Sequence, residues 1–200
     1  MHLSKPRASL GALVLVALVA ACGGTDPQQA FLQSMVPHHR SAIDMAAAAE
    51  TEAKTPFVRK LSSDITRSQA EEIGQMSKIH ERLFDAPLKP DMMAHSALGL
   101  SAEEAGMNHM NAADMIQGKK PFDRAFVNEM VPHHEGAIRM AEAVLEETED
   151  PQLRKLAEGI IAAQRTEIAE MKRFRQREYG AAAVPGSART ADAGHGGHGG

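Results

Sequence analysis

The chain has 200 residues, 43% of them hydrophobic and 24% charged, with a net charge of −4, the balance of an ordinary globular protein. That balance supplies no basic field for a phosphate backbone and argues against nucleic acid as a partner. A single Cys excludes an intrachain disulfide and any tetrathiolate zinc or iron-sulfur site, while twelve Met and ten His are the unusual counts.

Residues 1–21 read as a signal peptide. Lys5 and Arg7 precede an apolar run from Ala8 to Ala21 that is too short to span a bilayer comfortably. The run ends Val19-Ala20-Ala21-Cys22, small residues before the lone cysteine, as in a bacterial lipobox whose thiol is lipidated and becomes the mature N-terminus. The expectation is an extracytoplasmic protein, lipid-anchored to the bacterial cell envelope through Cys22. Removal of Lys5 and Arg7 with the leader makes the mature chain more acidic.

The remainder is dominated by a duplication. Shifting the chain by 95 residues aligns Phe31 to Met76 with Phe126 to Met171, with 21 of 46 positions identical. The best-matched block is M-V-P-H-H-R-S-A-I-D-M-A from Met35 and M-V-P-H-H-E-G-A-I-R-M-A from Met130. A second block carries Gln69, Glu72, Ile73 and Met76 in one copy and Gln164, Glu167, Ile168 and Met171 in the other. Between the blocks stand Thr55-Pro56 and Asp150-Pro151, a capping side chain followed by Pro at the first helical position. Each copy therefore reads as helix, tight turn, helix.

The spacing predicts helices over Asp26 to Ala53, Pro56 to Phe84, Phe122 to Glu149 and Pro151 to Tyr179. The fold class expected is all-α, an antiparallel four-helix bundle of ferritin-like type built from two repeated hairpins, because neither hairpin buries its apolar face alone. The hairpins are residues 26–84 and 122–179 and form one domain. The 85–121 crossover contains Ser101 and Glu104, a capping box expected to open a short helix through Met115. The 180–200 tail is Ala/Gly-rich, ends in Gly-His-Gly-Gly-His-Gly-Gly, and is expected to be disordered.

The repeated motif carries the chemistry. At about 100° per residue, His38 and His39 flank Met35 on the inward stripe, while Arg40 and Asp44 face outward. Met130, His133, His134 and Met140 repeat the placement of Met35, His38, His39 and Met45. Adjacent residues differ by about 100°, so the sequence leaves open which His of each pair points inward. Pro37 and Pro132 are expected to kink their helices and leave the carbonyls of Gln33 and Asn128 without their usual donors. On the partner helices, reflection about the hairpin turn puts Gln69 and Glu72 level with His38-His39, and Gln164 and Glu167 level with His133-His134. A carboxylate beside an imidazole fixes its tautomer and supports metal binding; Glu could instead be a direct ligand.

Imidazole with thioether and no thiolate favours Cu(I) as the bound ion. The metal-ligand set expected is Met35, His38, His39, Met45, Met130, His133, His134 and Met140, with Gln69, Glu72, Gln164 and Glu167 as supporting groups or ligands. Met92-x-x-His95 and Met107-x-His109-Met110 in the crossover, and His195 and His198 in the tail, are further candidate sites. Taken one at a time, these positions also suit core packing or a flexible tail.

With its motif present twice, the chain resembles the bacterial family known as domain of unknown function 305, a ferritin-like helical group. The resemblance covers about residues 28 to 178 and includes Phe122-Asp123-Arg124 and the Gln-x-x-Glu-Ile pattern of each second helix. It implies a secreted or envelope helical bundle, with some members associated with copper binding and tolerance. The function expected is copper sequestration, transport or tolerance, with no enzymatic activity. A ferritin-like metal oxidase is the alternative, weakened because no Glu-x-x-His occurs in the chain. A structural or interaction module without metal is the third reading.

Overall fold

The computed structural model describes residues 25–180 with the exception of residue 110, and every regular element in it is helical. Four long helices, α1 (Pro27–Glu52), α2 (Pro56–Phe84), α4 (Phe122–Glu147) and α5 (Pro151–Tyr179), form the bundle, and a short α3 (Ala112–Ile116) lies in the crossover. Asp26, Thr55 and Asp150 cap α1, α2 and α5 through their side-chain oxygens, each with Pro at the next position. α2 ends on Asp85 and α5 on Gly180, both with positive φ, returning an N–H to Glu81 and Gln176 respectively.

α1 packs against α2 and α4 against α5, and the two hairpins meet chiefly through α1 and α4. α1 and α4 are therefore the inner helices, covered on several sides, and their Ala42, Ala46, Ala137 and Ala141 are buried. The two run antiparallel: His38 meets His133, and Ser34, one turn earlier on α1, donates to the Sδ of Met140 (3.7 Å), further along α4.

The duplication is visible in how the turns are tied. Asp123, at the start of α4, accepts the N–H groups of Lys54 and Thr55 at 2.9 and 2.7 Å, fixing the first hairpin's turn. Its counterpart in the first repeat, Gln28, accepts the Thr148 hydroxyl at 2.7 Å and fixes the second. At the bundle's ends, Arg82 of α2 reaches Asp150 (2.8 Å) and Gln152 (2.9 Å), while Phe57 stacks on Phe174 with centroids 4.5 Å apart.

The crossover departs from its expected form. The Ser101–Glu104 capping box is present, with Glu104 accepting the Ser101 N–H and hydroxyl at 2.8 and 2.7 Å. The helix it opens stops after one turn instead of running to Met115. Gly106 takes φ of 69°, and the N–H groups of Gly106 and Met107 return to the carbonyls of Glu103 (3.1 Å) and Ala102 (2.8 Å). That is a Schellman-type stop with glycine in the left-handed position. A short 3-10 turn at Met107–His109 follows, and then α3. A further 3-10 turn, Ala94–Leu98, packs on α1.

Candidate metal centre

α1 and α4 continue through Pro37 and Pro132. The carbonyl that Pro37 releases, Gln33 O, accepts the N–H of Asp91 from the crossover at 3.0 Å. The proline thus creates a docking point for the segment leading into the Ala94–Leu98 turn.

All four motif histidines are fully buried at 0% exposure, which resolves the choice within each pair: both members point into protein. Adjacent positions about 100° apart reach different neighbours because an inner helix is covered on more than one side. His38 and His133 face each other across the α1–α4 contact with ring centroids 3.8 Å apart. His39 and His134 turn toward their own hairpin partners, where each Nε2–H donates to a carboxylate, Glu72 Oε2 and Glu167 Oε2, both at 2.7 Å. Centroids of His38 and His39 are 6.5 Å apart and those of His133 and His134 6.3 Å. The result is a row crossing the bundle from α2 to α5: Glu72, His39, His38, His133, His134, Glu167.

The carboxylates determine the chemistry of the outer imidazoles. With the proton held on Nε2, Nδ1 of His39 and of His134 keeps its lone pair, the form a metal needs. Both Nδ1 atoms are buried and lack a hydrogen-bond partner, as do both amide atoms of Gln69 and Gln164. Each such atom costs on the order of 1–3 kcal/mol. The same cost recurs at symmetry-related places in the two repeats.

The thioethers divide by position. Met35, Met45, Met130 and Met140 are all fully buried. Met35 and Met130 precede their histidines by three and four residues, the spacing of neighbours on a helix face, whereas Met45 and Met140 stand about two turns beyond His38 and His133. Gln69 and Gln164 are buried; Glu72 and Glu167 are partly exposed. In the crossover, His95 is buried and donates through Nδ1–H to the Met92 carbonyl at 2.7 Å, while the Met92 side chain is exposed. Met107 is buried. Cys22, Met110, His195, His198 and the side chain of His109 lie outside the described residues. Among the described residues, no three His, Cys, Asp or Glu side chains converge as a metal-binding group.

Two residues absent from the expected set stand out. His80 of α2 is buried, donating through Nδ1–H to Ala86 O at 2.9 Å and ringed by Phe84 and Gln29. It is satisfied by local partners and lies off the row. Gly136 of α4 allows the crossover backbone onto the row: a Cβ there would stand 2.5 Å from Ala105 O and 2.6 Å from Gly106 Cα. The sequence signal was the Ser41/Gly136 difference, one of three between the motif copies and the one that removes a side chain.

Fold and row together define a duplicated four-helix bundle with a buried, carboxylate-supported histidine centre. The chain belongs to the family described as domain of unknown function (DUF305), whose model matches residues 28–175. Among solved structures it is similar to CopM in the Cu(I)-bound form, with 34% identity, TM-score 0.63, and coverage of 76% of this chain and 97% of that one. CopM has also been solved in Cu(II)-bound, Ag-bound and apo forms. A DUF305 fragment from Deinococcus radiodurans matches at 30% identity and TM-score 0.64, covering 76% and 97% of the two chains. A curated relative, uncharacterized protein L153 of Acanthamoeba polyphaga mimivirus, is 43% identical over 49 residues, 24% of this chain and 32% of that protein. The match thus spans about a third of that relative's length.

Proposed function

We propose that this protein binds copper, as Cu(I), in the bundle core through the histidine row, and that it sequesters or carries the ion in the bacterial envelope, tethered by lipid at Cys22. The observation that carries the reading is the pair of symmetry-related imidazoles whose Nε2–H is held by Glu72 and Glu167 and whose Nδ1 lone pairs are buried without a hydrogen-bond partner. Imidazole and thioether donors with no thiolate suit a soft monovalent ion. The likeness to CopM, solved with Cu(I) and Ag, supports the same choice. A binding role is favoured over an oxidase because Glu72 and Glu167 stand at opposite ends of the row, on α2 and α5, where they cannot share the bridging geometry of a di-iron bundle.

The test is metal uptake by the purified protein carrying Cys22→Ser, so that no thiol competes. After anaerobic incubation with Cu(I), Cu(II), Zn(II) and Fe(II) in turn, elemental analysis is expected to find Cu(I) retained, and lost when His38, His39, His133 and His134 are replaced by Ala. Equal Cu(I) in both proteins would reject the row as the site. Oxygen consumption on addition of Fe(II) or Cu(I) would favour the oxidase.

A further inference from the structure

The Ser101–Met107 turn lies directly on the histidine row. A Cβ placed on Gly106 would stand 3.1 Å from His38 Nε2 and 3.2 Å from the backbone oxygen of His133, so the turn's backbone lies against the His38 imidazole and the α4 backbone at His133. Its seat is Gly136 on α4, where there is no room for a Cβ; the corresponding residue of the first repeat is Ser41, which has one. The turn is held from the outside by Arg139, whose guanidinium donates to the carbonyl of Glu104. Directly after Gly106 comes Met107, 8% exposed and part of the core. The other described methionines of the crossover, Met92, Met93 and Met115, are 51%, 67% and 50% exposed. Met107 is thus the buried one among these described methionines, and it directly follows the residue that meets His38.

The described residues present no cluster of three His, Cys, Asp or Glu, so donors beyond the imidazoles have to be of another kind. We propose that the Ser101–Met107 turn is a lid on the inner imidazole pair and that Met107 supplies a thioether ligand to a soft monovalent cation held by His38. The inference rests on the copper reading of the row. It also breaks the symmetry of the duplication: there is one crossover and one lid, so the central position takes a single ion.

The experiment uses Ag(I) as a redox-stable probe and protein labelled with 13C at the methionine methyl groups, carrying Cys22→Ser. On addition of one equivalent of Ag(I), the Met107 methyl resonance, assigned from Met107→Leu, is expected to shift while that of Met115 stays in place. In chelator competition, Met107→Leu is expected to weaken Ag(I) binding at least tenfold and Met115→Leu to leave it unchanged. Leu conserves volume, and the spectrum of the native protein reads the contact whether or not the variant folds. If the Met107 resonance does not move while Met35 or Met130 does, the lid ligand is wrong and the row stands. If His38→Ala with His133→Ala binds Ag(I) as tightly as native, the reading of the row itself fails.

Discussion

At the scale of single residues, the site is an exercise in proton placement. Glu72 and Glu167 hold the protons of His39 and His134 on Nε2, which leaves Nδ1 as the lone-pair nitrogen that the proposed copper binding requires. Glu72→Gln keeps the shape and removes the charge. It is expected to reduce Cu(I) affinity by roughly ten- to a hundredfold, the range typical of lost carboxylate support to a ligating imidazole, measured by competition with a chromogenic chelator. The glycines give a matched pair of stability predictions. Gly136→Ala drives a Cβ into the backbone of Ala105, and denaturant unfolding is expected to show a loss of about 1–3 kcal/mol. Gly159→Ala on α5 meets nothing within 4 Å and is expected to gain roughly 0.5–1 kcal/mol. The histidines and their carboxylates were legible in the sequence because duplication repeated an otherwise odd set of polar residues on an apolar stripe. That both members of each pair are buried was not legible, since helical periodicity describes one face and an inner helix has several.

At the scale of elements, caps and ties explain why the helices begin and end where they do. Thr55-Pro56 and Asp150-Pro151 placed two starts in the sequence, and both side chains do cap their helices. In the crossover the capping box at Ser101 is legible in the sequence, but it marks only where a helix starts; the stop after one turn comes from the left-handed conformation of Gly106. Nor could periodicity show that Gln33 O, released by Pro37, receives Asp91 N–H, since that contact joins segments far apart in the chain. Asp150 carries an element-level prediction. Burial works to raise its pKa, but the hydrogen bond from Arg82, with those from the N–H groups of Leu153 and Gln152, outweighs it and holds the carboxyl below its ordinary value. A carboxyl depressed in the folded state contributes stability above its unfolded pKa of about 3.9 and loses it as pH falls through the folded value. Acid titration of unfolding is therefore expected to show a steeper fall below about pH 4 for the native protein than for Asp150→Asn. Asp150→Ala is expected to cost about 1 kcal/mol at neutral pH through loss of the cap.

At the scale of the whole molecule, two copies of a hairpin place four imidazoles in one line through the centre, and the single crossover covers that line from one side. Binding to the folded state alone raises stability by about 2.7 kcal/mol at a free ligand concentration of 100 times Kd. For a chain of this size that corresponds to an increase in Tm of roughly 5–10 °C. Calorimetry with Ag(I) is expected to show such a rise in the native protein and none when His38 and His133 are both Ala. The central claim is that the soft ion sits in the bundle, on the histidine row. The most direct measurement is a crystal of the protein soaked in Ag(I), with the metal located by its anomalous scattering. A peak within bonding distance of the imidazole nitrogens among His38, His39, His133 and His134 is the result expected. Peaks confined to the exposed thioethers of Met92, Met93 and Met115, with the core empty, would contradict it.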